Sequence, residues 1–391
     1  MADALKGLNS LLVHVGEGPD PVTGSVTPPI YQTSTFAFPT NESMADFMNG
    51  RKEGYIYTRL GNPNFSVVEA KVAALEGAEK CLLVSSGMAA VATALTALCG
   101  SGDHIVAHAD VYGGTFGLLH DLLPKFGIET SFLDLRDPSS LAAALRPTTR
   151  AVYLETPSNP TLRLADIAAI AEIAHRSDVK VIVDNTFATP VNQRPLALGA
   201  DAVLHSGTKY LNGHSDVIAG LIAGSAEFIL ACSDVARKLG GTLNAFDAWL
   251  LGRGLKTLAL RVQQQNENGQ AVAEYLARHA ATAEVLYPGL PSHPQYALAQ
   301  RQMTGSCGVL GVRLKGGPAA VDRFLNRVQL FGRAVSLGSV ESLITQPVAA
   351  VHRFVPPEFQ ALAGITPDLV RIAVGIEDTD DLIRDLEQAL A

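Results

Sequence analysis

Cysteine is scarce in this chain. There are four in 391 residues, Cys81, Cys99, Cys232 and Cys307. No two share the close spacing of a zinc site, and four thiols spread so widely do not make a disulfide framework. Their apolar or small-residue contexts predict reduced core thiols, which points to a cytoplasmic protein. Charge is sparse as well, at 17% of residues, and the net charge is −8. A diffuse negative balance excludes broad nucleic-acid binding, which needs a basic face. It leaves room for a local cationic pocket. No run of about 20 apolar residues is free of polar interruption. The richest, Leu82 to Cys99, contains Ser85, Ser86, Gly87, Thr93 and Thr96, so no membrane association is expected. The first residues, MADALKGLNSLLVHVGEG, have neither the sustained apolar segment nor the small-residue cleavage site of a secretory leader.

What the chain does have is apolar bulk, 47% of residues, enough for a large core and against disorder. Its length predicts two or three domains. Residues 1–60 read as irregular, with Pro19, Pro21, Pro28, Pro29 and Pro39 among Gly16, Gly18 and Gly24. An ordered arm of that length is expected to pack on something, often a partner subunit. From residue 61 helix and strand alternate. Short apolar strands are predicted at Lys80–Val84, His104–His108, Ala151–Glu155, Lys180–Asp184 and Ala202–His205. Helices are predicted at Phe65–Glu76, Met88–Leu98 and Asp166–Arg176. Fully apolar strands separated by helices indicate a mainly parallel sheet buried on both faces, an α/β doubly wound class. A long helical stretch, Gly254–Ala277, leads into a smaller α/β domain. That domain has strands near Gly308–Leu314 and Leu369–Val374 and helices near Ala319–Arg327 and Asp378–Ala391. The expected division is an arm over 1–60, a cofactor domain over 61–250 and a C-terminal domain over 251–391.

Ligands of an open parallel sheet bind at the carboxyl ends of its strands. The predicted strand ends carry Ser86-Gly87-Met88 opening a helix, Tyr112 on a glycine turn, Asn159, Asp184, and Ser206-Gly207-Thr208-Lys209. Each alone has an ordinary reading. Ser-Gly is a helix cap, Asp184 a cap or metal ligand, Lys209 a solvated lysine, and Tyr112 a packed ring. His205, His214 and His352 are isolated and read as structural. Together, five strand ends facing one crevice carry complementary chemistry. A pyridoxal phosphate site needs a lysine for the aldehyde, a carboxylate for the pyridine nitrogen, an aromatic ring to stack and a helix N-terminus for the phosphate.

The motifs also resemble those of the Cys/Met-metabolism (transsulfuration) family of pyridoxal-phosphate enzymes, fold type I, nearly end to end. The resemblance rests on Thr27-Pro28-Pro29-Ile30-Tyr31-Gln32, Tyr57-Thr58-Arg59-Leu60-Gly61-Asn62-Pro63, Ser86-Gly87-Met88, Tyr112-Gly113-Gly114-Thr115, Glu155-Thr156-Pro157-Ser158-Asn159-Pro160, Val183-Asp184-Asn185-Thr186, Ser206-Gly207-Thr208-Lys209-Tyr210 and Ser336-Leu337-Gly338. It implies Lys209 as the cofactor-bearing, proton-shuttling lysine and Asp184 as the partner of the pyridine nitrogen. Tyr112 would stack on the ring and act as acid/base. Gly87, Met88, Ser206 and Thr208 would bind the phosphate, and Tyr57 and Arg59 would reach the phosphate of a neighbouring subunit. Arg371, with Ser336 and Asn159, would hold the substrate carboxylate. It also implies a homotetramer built as a dimer of active dimers.

For activity the resemblance implies γ-elimination from a sulfur amino acid (methionine, cystathionine or homocysteine), giving 2-oxobutanoate, ammonia and a thiol. The alternative within the family is γ-replacement on an activated homoserine, as in a cystathionine γ-synthase or O-acylhomoserine sulfhydrylase. Members acting on cystathionine carry Glu directly before the serine of the Ser-Leu-Gly segment, where this chain has Val335. An apolar residue there resembles methionine γ-lyase. Two of that enzyme's usual features are absent, a cysteine at the place of Gly114 and Lys-Asp near Arg237-Lys238. The family's usual Met-Thr-His is altered to Ala350-Val351-His352, so a modified substrate pocket is expected.

Overall fold

A computed structural model describes residues 7–391 of the chain. Seven strands form the larger sheet: β1 (Lys80–Val84), β2 (His104–His108), β3 (Glu129–Leu133), β4 (Thr149–Glu155), β5 (Lys180–Asp184), β6 (Ala202–Ser206) and β7 (Gly220–Gly224). Their order is β1-β7-β6-β5-β4-β2-β3. Every pairing from β3 to β6 is parallel, whereas β7 runs antiparallel to both β6 and β1. The five predicted strands all form, and the sheet is mixed because of β7. A Cβ at Gly220, where β7 begins, would overlap the carbonyl of Ser86, so only glycine lets β7 lie against the start of the following helix.

Alternate side chains of each strand enter different cores, as the period of two requires. Ile105, Tyr153, Ile182 and Leu204 pack with helix Gly87–Leu98 on one face. Val106, Val152, Val181 and Val183 pack with helix Ile167–His175 on the other. The smaller sheet contains β8 (Thr282–Leu286), β9 (Val309–Leu314), β10 (Gly332–Arg333), β11 (Leu343–Thr345) and β12 (Leu369–Ala373), in the order β10-β11-β12-β9-β8. Helix Leu258–Arg278 joins the two bodies. Its Val262 belongs to the core of the larger sheet, and its Val272 and Leu276 to that of the smaller.

The predicted continuous helix from Gly254 is interrupted. One helix covers Ala245–Leu255, and the next begins at Leu258. The buried Arg261 turns back over the break. Its guanidinium donates to the carbonyls of Gly254 and Tyr210, both at 2.8 Å. This cation ties the last turn of the first helix to the turn that carries Tyr210 across the break.

The N-terminal segment is less irregular than its prolines suggest, with helices at Leu8–His14 and Asn41–Met48. It is tied down by polar contacts. Trp249 Nε1 donates to the Pro28 carbonyl at 3.0 Å, and the Asn64 amide donates to the Pro29 carbonyl at 2.8 Å. The fully buried Lys71 ammonium meets Glu17 at 3.0 Å and donates to the Leu12 carbonyl at 2.9 Å. Lys71→Ala is expected to cost about 3 kcal/mol in urea unfolding, the low end for breaking a buried ion pair. The low end applies because Lys256 still neutralises Glu17. A change under about 0.5 kcal/mol would show that Lys71 is no anchor.

Candidate active site

The carboxyl ends of β1, β2, β4, β5 and β6 open onto one cavity of about 270 Å³. Its size suits a small ligand. Arg371 of β12 and the segment Val335–Leu337 reach in from the smaller sheet.

At the end of β1, the Ser86 hydroxyl accepts the Ala89 N–H at 3.0 Å and starts helix Gly87–Leu98. The earliest N–H groups of a helix have no intrahelical partner, and Gly87 and Met88 line the cavity. Ser206 and Thr208 face them from the end of β6. A Cβ on Gly87 would come within 2.9 Å of the Ser206 Cβ, so glycine holds this cradle open. Hydroxyls and a helix N-terminus together make an anion site.

Tyr112 follows β2 with its ring partly exposed. Its N–H donates to Glu155 Oε2 at 2.9 Å. A Cβ at Gly114 would lie 2.5 Å from Tyr112 Cε1, so the ring occupies the space a side chain there would take. Asp184 ends β5 and accepts the Thr186 N–H at 3.0 Å. Burial raises its carboxyl pKa, while the Thr186 hydrogen bonds and the His205 charge oppose the rise.

Lys209 Nζ donates to the Ser336 hydroxyl at 2.8 Å. Burial, and secondarily the charge of Arg371, lower its pKa to about 8. Arg371 is 2% exposed. Its Nη1 donates to Asn159 Oδ1 at 3.1 Å and its Nη2 to the Ser336 carbonyl at 2.8 Å. Its Nε is buried without a partner, and burial lowers its pKa to about 10. Ser336 has φ of 90°, a conformation costly for a residue with a Cβ.

The chain thus brings together Gly87, Met88, Tyr112, Asn159, Asp184, Ser206, Thr208, Lys209, Ser336 and Arg371. It does not bring in Tyr57 or Arg59. The Arg59 guanidinium lies over the Tyr57 ring at 5.7 Å and donates to the Arg237 carbonyl at 3.0 Å, beside a different cavity. His205 is buried below the sheet, 2.6 Å from Glu76. His352 is buried, and burial lowers its pKa to about 4. All four cysteines are free and buried. Sequence reasoning missed Glu155, which had appeared only within a motif, and its neighbour Tyr153. The signal was a glutamate closing an otherwise apolar strand at the same end as Asp184. The cavity wall also includes Ile218, Val335 and Val351, with no charged group among them.

The donor set fits pyridoxal phosphate. It offers an anion cradle, an aromatic ring, a carboxylate and a lysine with a depressed pKa. The unpartnered Arg371 Nε adds an opening for a second anion. Fold and site therefore define a pyridoxal-phosphate-dependent enzyme. The chain belongs to the Cys/Met metabolism PLP-dependent enzyme family, whose model matches residues 9–391, and its cofactor is pyridoxal 5'-phosphate. It is similar to an L-methionine gamma-lyase of Treponema denticola, 48% identical over 98% of this chain and 96% of the relative. A Mycobacterium bovis cystathionine gamma-synthase is 45% identical over 99% of this chain and 97% of the relative. The crystal structure of metB from Corynebacterium glutamicum superposes with a TM-score of 0.94 at 39% identity, covering 100% of this chain and 99% of that one.

A depressed lysine pKa has a thermodynamic signature. The unfolded chain holds the Lys209 proton more tightly than the folded one, so the buried ammonium destabilises the fold. That penalty is full below about pH 8 and vanishes above the ordinary value of 10.5. Lys209→Met is therefore expected to raise the melting temperature of cofactor-free protein at neutral pH. The gain should shrink as pH rises through that window. A gain that grows with pH would contradict the assignment.

Proposed function

We propose that the protein is a γ-lyase acting on a sulfur amino acid, releasing a thiol and yielding 2-oxobutanoate and ammonia. The observation that carries this reading is the cavity's distribution of charge. Lys209 and Asp184 both line it, Arg371 has no carboxylate partner among the described residues, and the wall of Ile218, Val335 and Val351 is uncharged. An α-carboxylate suits Arg371, and a thioether side chain suits the apolar wall. Bound pyridoxal phosphate supplies an electron sink that makes the protons on Cα and then Cβ removable.

Each residue has its task. Gly87, Met88, Ser206 and Thr208 hold the phosphate. The Tyr112 ring would stack on the cofactor, and Asp184 would pair with its pyridine nitrogen. Lys209 would bind the cofactor's aldehyde and would move the Cα proton, for which a pKa of about 8 suits it. The Tyr112 hydroxyl gives a proton to the leaving thiolate. Arg371, braced by Asn159 and Ser336, holds the α-carboxylate. Tyr57 and Arg59 of the partner subunit complete the phosphate site. Their placement outside their own chain's cavity supports this reading. In this reading residues 1–60 are an arm serving a neighbour, 61–250 bind the cofactor and 251–391 supply the carboxylate grip. The assembly is a homotetramer of active dimers working in the cytoplasm.

A second reading, γ-replacement on an activated homoserine, is favoured by the relatives named cystathionine gamma-synthase. Incubation with methionine, cystathionine, homocysteine and O-acetyl- or O-succinylhomoserine, with and without added thiol, separates the two. Oxobutanoate formed without thiol is the expected result. Product formed only when thiol is present would overturn the lyase reading.

Two variants test the roles. Lys209→Ala is expected to lose the yellow visible band of the purified protein. Arg371→Ala is expected to keep the band and raise KM at least about tenfold, since a charge-assisted contact contributes about 1.5–3 kcal/mol. An unchanged KM would remove Arg371 from the substrate site.

A further inference from the structure

Glu155 has no task in the scheme above, yet it is 6% exposed and lines the cavity. It pairs in register with Asp184 on the adjacent strand, so two carboxyl groups lie side by side. One hydroxyl stands between them. Tyr153 Oη is 3.5 Å from Glu155 Oε1 and 3.4 Å from Asp184 Oδ2. Tyr153 is fully buried, and burial together with the charge of Asp184 holds its phenol protonated against an opposing hydrogen bond from Thr115. A phenol has one hydrogen to donate and lone pairs with which to accept. Two ionised carboxylates would leave one of them facing an oxygen lone pair in a site of low dielectric. The arrangement is satisfied when one carboxyl carries its own proton and donates it to the tyrosine oxygen.

The surroundings decide which carboxyl that is. Asp184 accepts the Thr186 N–H and feels the His205 charge, both of which favour its ionised form against burial. Glu155 faces no such cation. The charges acting on it are those of Asp184 and Asp110, and both reinforce burial in raising its pKa well above the ordinary value. Tyr112 N–H and Thr115 oppose that rise as hydrogen-bond donors. Lys209 and Arg371 also line the cavity, where Lys209 Nζ bonds Ser336 and Arg371 bonds Asn159 and Ser336.

We propose that Glu155 is a neutral carboxylic acid at neutral pH and a positioning residue for both Asp184 and Tyr112. Its Oε1–H donates to Tyr153 Oη, the Tyr153 hydroxyl donates to Asp184 Oδ2, and its Oε2 accepts the Tyr112 N–H. One proton on Glu155 thus leaves a single negative charge, on Asp184, where a pyridine nitrogen is to be met. The inference rests on the reading of Asp184 given under the proposed function.

The direct test is infrared difference spectroscopy of cofactor-free wild type against Glu155→Gln at neutral pH. A protonated-carboxyl C=O band in the wild type that disappears in the variant is expected. Loss of a carboxylate band instead would overturn the proposal. Tyr153→Phe removes the acceptor of the acid O–H, so the acid band is expected to move to higher frequency. A band that stays in place would break the link to Tyr153. Affinity for pyridoxal phosphate gives a second readout. The amide of Glu155→Gln reproduces both hydrogen bonds, and its Kd is expected within about twofold of wild type. Glu155→Leu leaves the Tyr112 N–H unpaired and is expected to weaken binding about tenfold or more. A Gln variant as weak as the Leu variant would mean that the ionised form is required. The infrared bands are read without cofactor. A protein that failed to bind pyridoxal phosphate would overturn the proposed function and leave the state of Glu155 readable.

Discussion

Lys209 and Arg371 are cations in one cavity, and neither has a carboxylate partner among the described residues. Each lowers its own pKa through burial, and Arg371 lowers that of Lys209 further. Keeping such a pair costs stability unless something anionic enters between the two sheets. The surrounding architecture meets this constraint. The larger sheet turns five strand ends toward the cavity, the helix at Gly87 adds its positive end, and the smaller sheet presents the guanidinium from β12. The fold holds apart two charges that a guest must reconcile, and the cofactor phosphate and substrate carboxylate are of the right sign to do so.

The same geometry divides the labour between the sheets. Within one chain, everything that meets the cofactor in this reading belongs to the larger sheet or its connections, and only Tyr57 and Arg59 of the partner subunit are added to it. The carboxylate grip comes from β12 and from the segment around Ser336, which belong to the smaller sheet and its connections. Helix Leu258–Arg278, with side chains in both cores, sets the distance between them. On the proposed reading, substrate discrimination therefore rests on packing well away from the chemistry, as well as on Val335 and Val351 at the wall.

Much of this was legible in the residues because strand ends are marked twice. KCLLV, HIVAH and KVIVD are apolar runs too short for helices, and each ends in a polar or glycine-rich turn that carries the chemistry. β7 escaped notice because its two glycines look like loop residues, and the need for Gly220 arises only from the approach of Ser86. The helix break at Lys256–Thr257 was hidden because Arg261, the residue that stabilises it, looks like an ordinary helical arginine until its carbonyl partners are known. Glu155 was overlooked for a related reason. Its environment is made by Tyr153 two residues earlier and by Asp184 on another strand, and pairing across strands is invisible in a linear pattern.

Ser336 carries a wider implication. Its backbone sits at φ of 90°, its hydroxyl is engaged by Lys209 and its carbonyl by Arg371. Such a conformation persists only where neighbouring contacts over-determine it. In the proposed mechanism Lys209 leaves the serine when it moves a proton at the substrate, and one of the two contacts on Ser336 is then given up. On that reading the segment from Val335 to Gly338 is a latch, held while Lys209 rests on the serine and freed of that hold when it leaves. Because Val335 adjoins that serine and lines the cavity, the proposed mechanism links the position of the lysine to the apolar wall.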